Sequence, residues 1–381
     1  MMKILKLPNS IAVMFSFFVM GYVDLVGIAT NNIKIDFGLT DTIANLLPSM
    51  VFLWFLVFSV PTGIMMNKIG RKKTVLLSLA VTFLAVITPL IGYSFPIMLI
   101  SFALLGIGNT LMQVSLNPLV TNIIKGEKLA SALTFGQFIK AIASFLAPII
   151  SSWAAINFGN WRLLFPMFAT ISLISFVLLY FTSIEEKSGE DKMSSFKDCL
   201  GLLADKTILM LFIGILVHVG IDVGVNITAP KLLMERVGMN LQDASYGIVL
   251  YFISRTIGTF SGTFILSLIP SRVFFMVSAL LMVVGVMGLF FAETGMLLYI
   301  CIVLLGIGNS NVFSIIFSTA MQLIPSRNNE ISGLMIMGIS GGAIFPFFMG
   351  ILSDSLKSQQ GAVIILLFCI IYLLSICRKI K

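Results

Sequence analysis

The sequence predicts an all-α membrane protein, with twelve transmembrane helices in two pseudo-symmetric six-helix bundles. Three observations point there. Apolar residues make up 58% of the chain and charged residues 10%, whereas a soluble domain clothes itself with about 25% charged residues. The apolar residues gather in runs near the roughly 20 residues that cross a bilayer as a helix. Finally, Leu-Leu-Gly-Ile-Gly-Asn stands at 104–109 and again at 304–309.

The spans fall at 10–34, 42–66, 74–92, 95–123, 129–156, 162–183, 207–233, 243–268, 272–291, 294–323, 330–354 and 361–377. Helix is the form expected, because lipid offers no partner to an unpaired backbone group. The first run is read as a span rather than a cleaved leader, since it is long, contains Asp24 and lacks a small-x-small site. The one long polar stretch, Glu185 to Cys199, follows span six. It divides the chain into 1–184, a cytoplasmic loop 185–206, and 207–381. With both termini cytoplasmic, seventeen of the 24 Lys and Arg lie on the inner side and five on the outer, as the positive-inside rule requires.

The repeated string occupies the fourth span of each half. A second echo keeps nearly the same offset: Phe-Leu-Ala-Pro ending at Pro148 is answered by Ala-Ile-Phe-Pro ending at Pro346. Gly-x-Gly is common wherever helices pack closely, but repeat, helix position and central loop together indicate duplication. Two halves of like orientation are related by an axis along the membrane normal.

Gly63 to Lys73, "GIMMNKIGRKK", resembles the signature loop of the major facilitator superfamily, Gly-x-x-x-Asp-Arg-x-Gly-Arg-Arg-Lys. Gly63, Gly70 and Arg71 match and are expected to serve gating; Asn67 replaces the family Asp, so the resemblance implies loss of a latch carboxylate. "FGNWRLLFP" at 158–166 resembles the Gly-x-Trp-Arg element of span six. Within the superfamily, "LMQVSLNPLV", "LTFGQFIKAI", "HVGIDVGVN" and "YFISRTIGTFSG" resemble spans four, five, seven and eight of the fucose/glucose–cation symporter group. The resemblance implies import of a sugar with H⁺ or Na⁺ by alternating access, and it places Gln113, Asn117 and Gln137 in the sugar and ion region. The chain departs from the group twice. Its span-one Asp falls at Gly27, with Asp24 one turn earlier, and its span-five Asn is Lys140.

An ionised group near the bilayer centre costs about 2.5–3.5 kcal/mol, so each is a candidate functional residue. Asp24, Lys140, Asp222 and Arg255 remain within spans. Asp24 and Lys140 read either as a buried packing pair or as a cavity pair in which Asp24 takes the coupling cation. His218 and Asp222 lie four apart on one helix face and suit hydroxyl recognition. His218 reads either as a proton relay for coupling or as a structural donor. Arg255 reads equally as the group's span-eight Arg or as a helix brace. Asn226, Asn309 and Asn311 complete an amide set for a hydroxylated solute. Alternatives are an exporter of hydrophobic compounds and a carrier of an anionic sugar or small acid.

The net charge of +8 comes without a basic patch interleaved with aromatics, so no nucleic-acid partner is expected. Cys199, Cys301, Cys369 and Cys377 lack metal-ligand spacing, and the spans hold no nucleophile–base cluster; no metal, cofactor or enzymatic activity is expected. The chain is expected in a bacterial inner membrane, as a monomer among lipids.

Overall fold

The protein is described from a computed structural model, which places residues 7–39, 43, 46–124, 128–184, 186, 195–239, 241–244 and 246–380. Among these, no strand occurs, and eleven helices are long and apolar enough to cross a membrane. Span one is continuous but not uniform: α-helix Leu7–Met20, a 3₁₀ turn Gly21–Asp24, then α-helix Leu25–Asp36. The other eleven stand where the apolar runs are: Leu46–Ile69, Arg71–Ile91, Phe95–Ile123, Lys128–Phe158, Trp161–Phe181, Lys206–Val237, Tyr246–Ile265, Ser271–Phe291, Gly295–Leu323, Pro325–Leu356 and Gln360–Lys379.

The ends of these helices have local causes. Span seven starts where the Asp205 carboxylate accepts from Thr207 N at 2.7 Å and Ile208 N at 3.0 Å. It stops at Gly238, whose φ of 71° is left-handed and open to glycine without steric cost. Two later spans are interrupted. Span ten breaks at Ser310–Asn311 between helices Gly295–Asn309 and Val312–Leu323, and span eleven tightens to 3₁₀ over Gly338–Ser340.

The chain forms two compact units. Unit one is 1–125, 136–201 and 324–337; unit two is 126–135, 202–323 and 338–381. The first turns of spans five and eleven therefore join the unit opposite to the one that holds the rest of each helix. The central loop carries a short helix of its own, Phe196–Gly201, in unit one.

The repeated string does the same packing work in each unit. A Cβ on Gly106 would lie 2.6 Å from Val51 O in span two, and one on Gly306 would lie 2.8 Å from Tyr251 O in span eight. A Cβ on Gly108 would meet Thr82 of span three at 2.6 Å, and one on Gly308 would meet Ser278 O of span nine at 2.7 Å. Helices without a hydrophobic force between them associate by such close approach at small residues. Outward faces remain greasy: Leu56, Leu84, Ile100, Leu280 and Phe368 are exposed, beyond what a soluble monomer presents.

Candidate functional site

Unit two gathers five polar side chains from spans seven, eight and ten. Asp222 Oδ2 lies 2.7 Å from Arg255 Nη1, and Asp222 Oδ1 accepts from the Tyr251 hydroxyl at 2.7 Å. That hydroxyl accepts from Asn309 Nδ2 at 3.0 Å, and Asn309 Oδ1 meets His218 Nδ1 at 2.8 Å. The four-residue spacing of His218 and Asp222 puts both on one face of span seven. Gly306 lets spans eight and ten close up at that level, bringing Asn309 against Tyr251. The ionic end is partly accessible, with side-chain exposures of 30% for Arg255 and 17% for Asp222. Asn226, one turn on, donates to Asp222 O at 2.9 Å and leaves its buried Oδ1 without a protein partner. Asn311 stands apart. Its amide donates to Gly258 O at 2.9 Å, and a Cβ on Gly262 would fall 2.4 Å from its Oδ1, so it fastens span ten to span eight.

Unit one holds an amide ladder on span four. Asn109 donates to Met20 O at 2.7 Å, Gln113 donates to Asn109 Oδ1 at 2.7 Å, and Asn117 donates to Gln113 O at 2.7 Å. Asn117 Oδ1 and Gln137 Nε2 are buried without protein partners. Gln137 and the half-buried Lys140 are successive turns of span five. Span one comes close there: a Cβ on Gly21 would lie 2.5 Å from Lys140 O. The 3₁₀ turn carrying Asp24 thus abuts the turn carrying Lys140, while the Asp24 side chain lies outside the described residues.

The residues expected to serve gating also fall in unit one, with the first turns of span eleven. Gly63 and Gly333 form the crossing; a Cβ on Gly63 would meet Asn329 O at 2.6 Å, and one on Gly333 would meet Ser59 O at 2.6 Å. Asn67 Nδ2 donates to Glu330 Oε1 at 3.0 Å, and Asn329 Nδ2 donates to Asn67 Oδ1 at 2.6 Å. Arg71 donates to Asn329 Oδ1 at 2.7 Å, to Pro118 O and Thr121 Oγ1 at 3.2 Å each, and to Asn122 Oδ1. Asn67 has no charge, but Glu330 brings a buried carboxylate to the same contact from span eleven. Nor does Asn67 cap a helix. The carboxylate of Glu186 does so, accepting from Arg71 N at 2.8 Å and Lys72 N at 2.5 Å, where the helix N-terminus favours negative charge. Gly70 makes room with a φ of 87°.

On the opposite end of unit one, the Gly-x-Trp-Arg element closes a clamp. Asp36 accepts from Tyr93 OH at 2.5 Å and Trp161 Nε1 at 2.9 Å, and the Arg162 guanidinium sits 4.5 Å above the Tyr93 ring. Burial, then the bond to Asp36, holds the Tyr93 hydroxyl well above the usual phenol range.

Residues 10–346 match the family described as the Major Facilitator Superfamily. The chain belongs to that superfamily. A glucose/galactose transporter of Brucella abortus is 25% identical over 359 residues, 89% of this chain and 86% of that one. Among solved structures, the fucose:proton symporter of E. coli superposes with a TM-score of 0.84 at 18% identity, covering 97% of each chain. A proton:xylose symporter superposes with a TM-score of 0.76 at 13% identity, over 98% of this chain and 95% of that one. The architecture is that of superfamily transporters, and the chain is a multi-pass membrane transporter rather than an enzyme.

Within this superfamily fold, Asp222, His218 and Asn309 come together, as do Gln113 and Asn117. Four participants escaped the sequence reading. Tyr251 precedes Arg255 by four residues and so shares its helix face. Asn109 is the repeat-mate of Asn309. Glu330 stands in the first turn of a helix, and Glu186 sits in the charged loop. The first two had a signal in spacing and repetition.

Proposed function

We propose that this superfamily member is a secondary transporter that imports a neutral hexose-like sugar with a coupling cation, H⁺ or Na⁺, by alternating access of the halves 1–184 and 207–381. The observation that carries the reading is the Asp222–Arg255 pair in unit two. Each charge neutralises the other while both side chains remain partly accessible. A carboxylate that accepts beside a guanidinium that donates suits vicinal hydroxyls, and the pair offers no net charge to attract an acid. A greasy exporter substrate makes no use of either group, and covering the partly open pair with apolar surface takes it out of water at a cost. In the same unit, the unpartnered buried Oδ1 of Asn226 adds a polar position that a polyol satisfies, since leaving such an atom unpaired costs about 1–3 kcal/mol. The relative named as a glucose/galactose transporter, similar along most of both chains, supports a hexose.

Asp24 remains the proposed cation carrier of unit one, on the 3₁₀ turn of span one, with His218 as its counterpart in unit two. Asn309 serves the site from span ten through Tyr251, Asn311 fastens that span to span eight, and Gly63, Asn67, Gly70 and Arg71 govern the cytoplasmic gate. The setting is a bacterial inner membrane with both termini inside, the chain acting as a monomer. Counterflow into proteoliposomes tests the reading, using a monosaccharide panel with and without Na⁺ at two pH values. Saturable exchange of a hexose supports it. Exchange of a sugar acid or of a hydrophobic compound, with no neutral sugar exchanged, overturns it.

A further inference from the structure

The polar chain of unit two has a direction. Asp222, paired with Arg255, is an acceptor only, so the Tyr251 hydroxyl must donate its proton to Oδ1. The Tyr251 oxygen is then left to accept from Asn309 Nδ2. That orients the amide carbonyl of Asn309 toward His218, whose Nδ1 must carry the hydrogen in their 2.8 Å contact. Accessibility also runs one way: Arg255 and Asp222 are partly open, while Tyr251 and Asn309 are 0% exposed and His218 2%. A solute can reach the ionic end but not the imidazole.

We propose that Tyr251 is a positioning residue that reports the occupancy of the Asp222–Arg255 pair to His218, holding the imidazole as its Nδ1–H tautomer with Nε2 left to take the coupled proton. This rests on the sugar-carrier reading above. When a solute hydroxyl replaces that of Tyr251 on Asp222, the Tyr251 O–H is released, Asn309 loses its fixed acceptor, and the ring is no longer held to one tautomer. Uptake of H⁺ at Nε2 makes an imidazolium that keeps its Nδ1–H bond to Asn309, so no other bond need break. The charged groups acting on the ring are Asp222 from its own helix and Arg255 from span eight. Tyr251 is the next titratable group along the chain, and span ten presents Asn309 and the ring of Phe313, 6.4 Å away.

His218 is the only histidine in the sequence, so protein made with ¹⁵N-histidine and a histidine-free tag gives the ring nitrogens of one residue. The wild type is expected to show a protonated Nδ1 and an unprotonated Nε2, and added glucose or galactose is expected to disturb that pattern. Tyr251→Phe, which keeps the ring and removes the hydroxyl, is expected to mix the tautomers and to move the pH profile of sugar uptake toward acid by about one unit. An Nε2–H tautomer in the wild type overturns the proposal, whether or not the variant folds. So does a folded Tyr251→Phe with unchanged tautomer and pH profile. Failure of hexose counterflow by the wild type is separate, since it sinks the sugar reading while leaving the tautomer measurement standing.

Discussion

Asn109 and Asn309 end the two copies of one string, and both reach the first helix of their half, at Met20 O and at His218. Their further partners differ. Asn109 is braced by Gln113 and leads to Asn117, a run of neutral amides that bond within span four and to span one. Asn309 is held by Tyr251 and leads to an ion pair. The glycines of both copies keep the same partners in the same order, span two or eight and then span three or nine. A duplicated scaffold is thus held fixed by backbone contact while its side chains have taken different chemistry. Unit one offers dipoles along span four, and unit two offers opposed charges at one end of a buried hydrogen-bonded chain.

The comparison breaks first at the glycines. Gly106→Ala and Gly306→Ala each drive a methyl group into a backbone carbonyl, at 2.6 and 2.8 Å. Each is expected to cost about 1–3 kcal/mol, with Gly→Val at either position leaving no monodisperse protein. Thermal unfolding in detergent measures both; tolerance at one site alone means that the halves are not packed alike. Next come the polar sets. Asp222→Asn takes the carboxylate from Arg255 and is expected to lower hexose counterflow about a hundredfold. Asn109→Ala removes the side-chain bond to Met20 O and is expected to lower it about tenfold, equivalent to about 1.4 kcal/mol. The reverse order would make the amide ladder, not the ion pair, the stronger grip.

The proposed latch at Asn67 and Glu330 sharpens the contrast, because it lies in unit one and has Cys199 as a reporter. Cys199 is fully buried in the loop helix, and its thiol feels Glu330. Asn67→Asp sets a second carboxylate beside Glu330; their repulsion is expected to part the contact, expose Cys199 and raise its alkylation several-fold, outweighing the slower reaction that added negative charge alone gives a thiol. Adding Glu330→Asn is expected to restore the slow rate, and an unchanged rate in the single variant removes Glu330 from the latch. The smallest effect is in the wild type. Burial, with Glu330 adding to it, pushes the Cys199 thiol up to about 11. Since thiolate is the reactive form, labelling is expected to rise as pH climbs toward 11 and to stay slow at neutral pH.

The spans, the duplication and the superfamily were readable because lipid imposes one rule, long apolar helices, and close packing imposes another, small residues at fixed places. Span three shows the limit of that reading. Composition starts it at 74, after the basic cluster, but Glu186 caps a helix that begins at Arg71. The basic loop residues are therefore helical. Glu330 was missed for a similar reason: the motif fixes attention on position 67, and nothing in one sequence says which side of a helix crossing supplies the charge. Tyr251 was legible from its spacing to Arg255, yet a tyrosine in an apolar helix reads as packing until its hydroxyl is seen on Asp222.

Equilibrium binding of neutral hexoses to purified wild type and Asp222→Asn tests the account most directly. The account predicts saturable binding of glucose or galactose to the wild type, weakened at least tenfold in the variant while Asn109→Ala loses less. Hexose binding of equal strength in wild type and Asp222→Asn, or no binding of any neutral sugar by folded wild type, contradicts it.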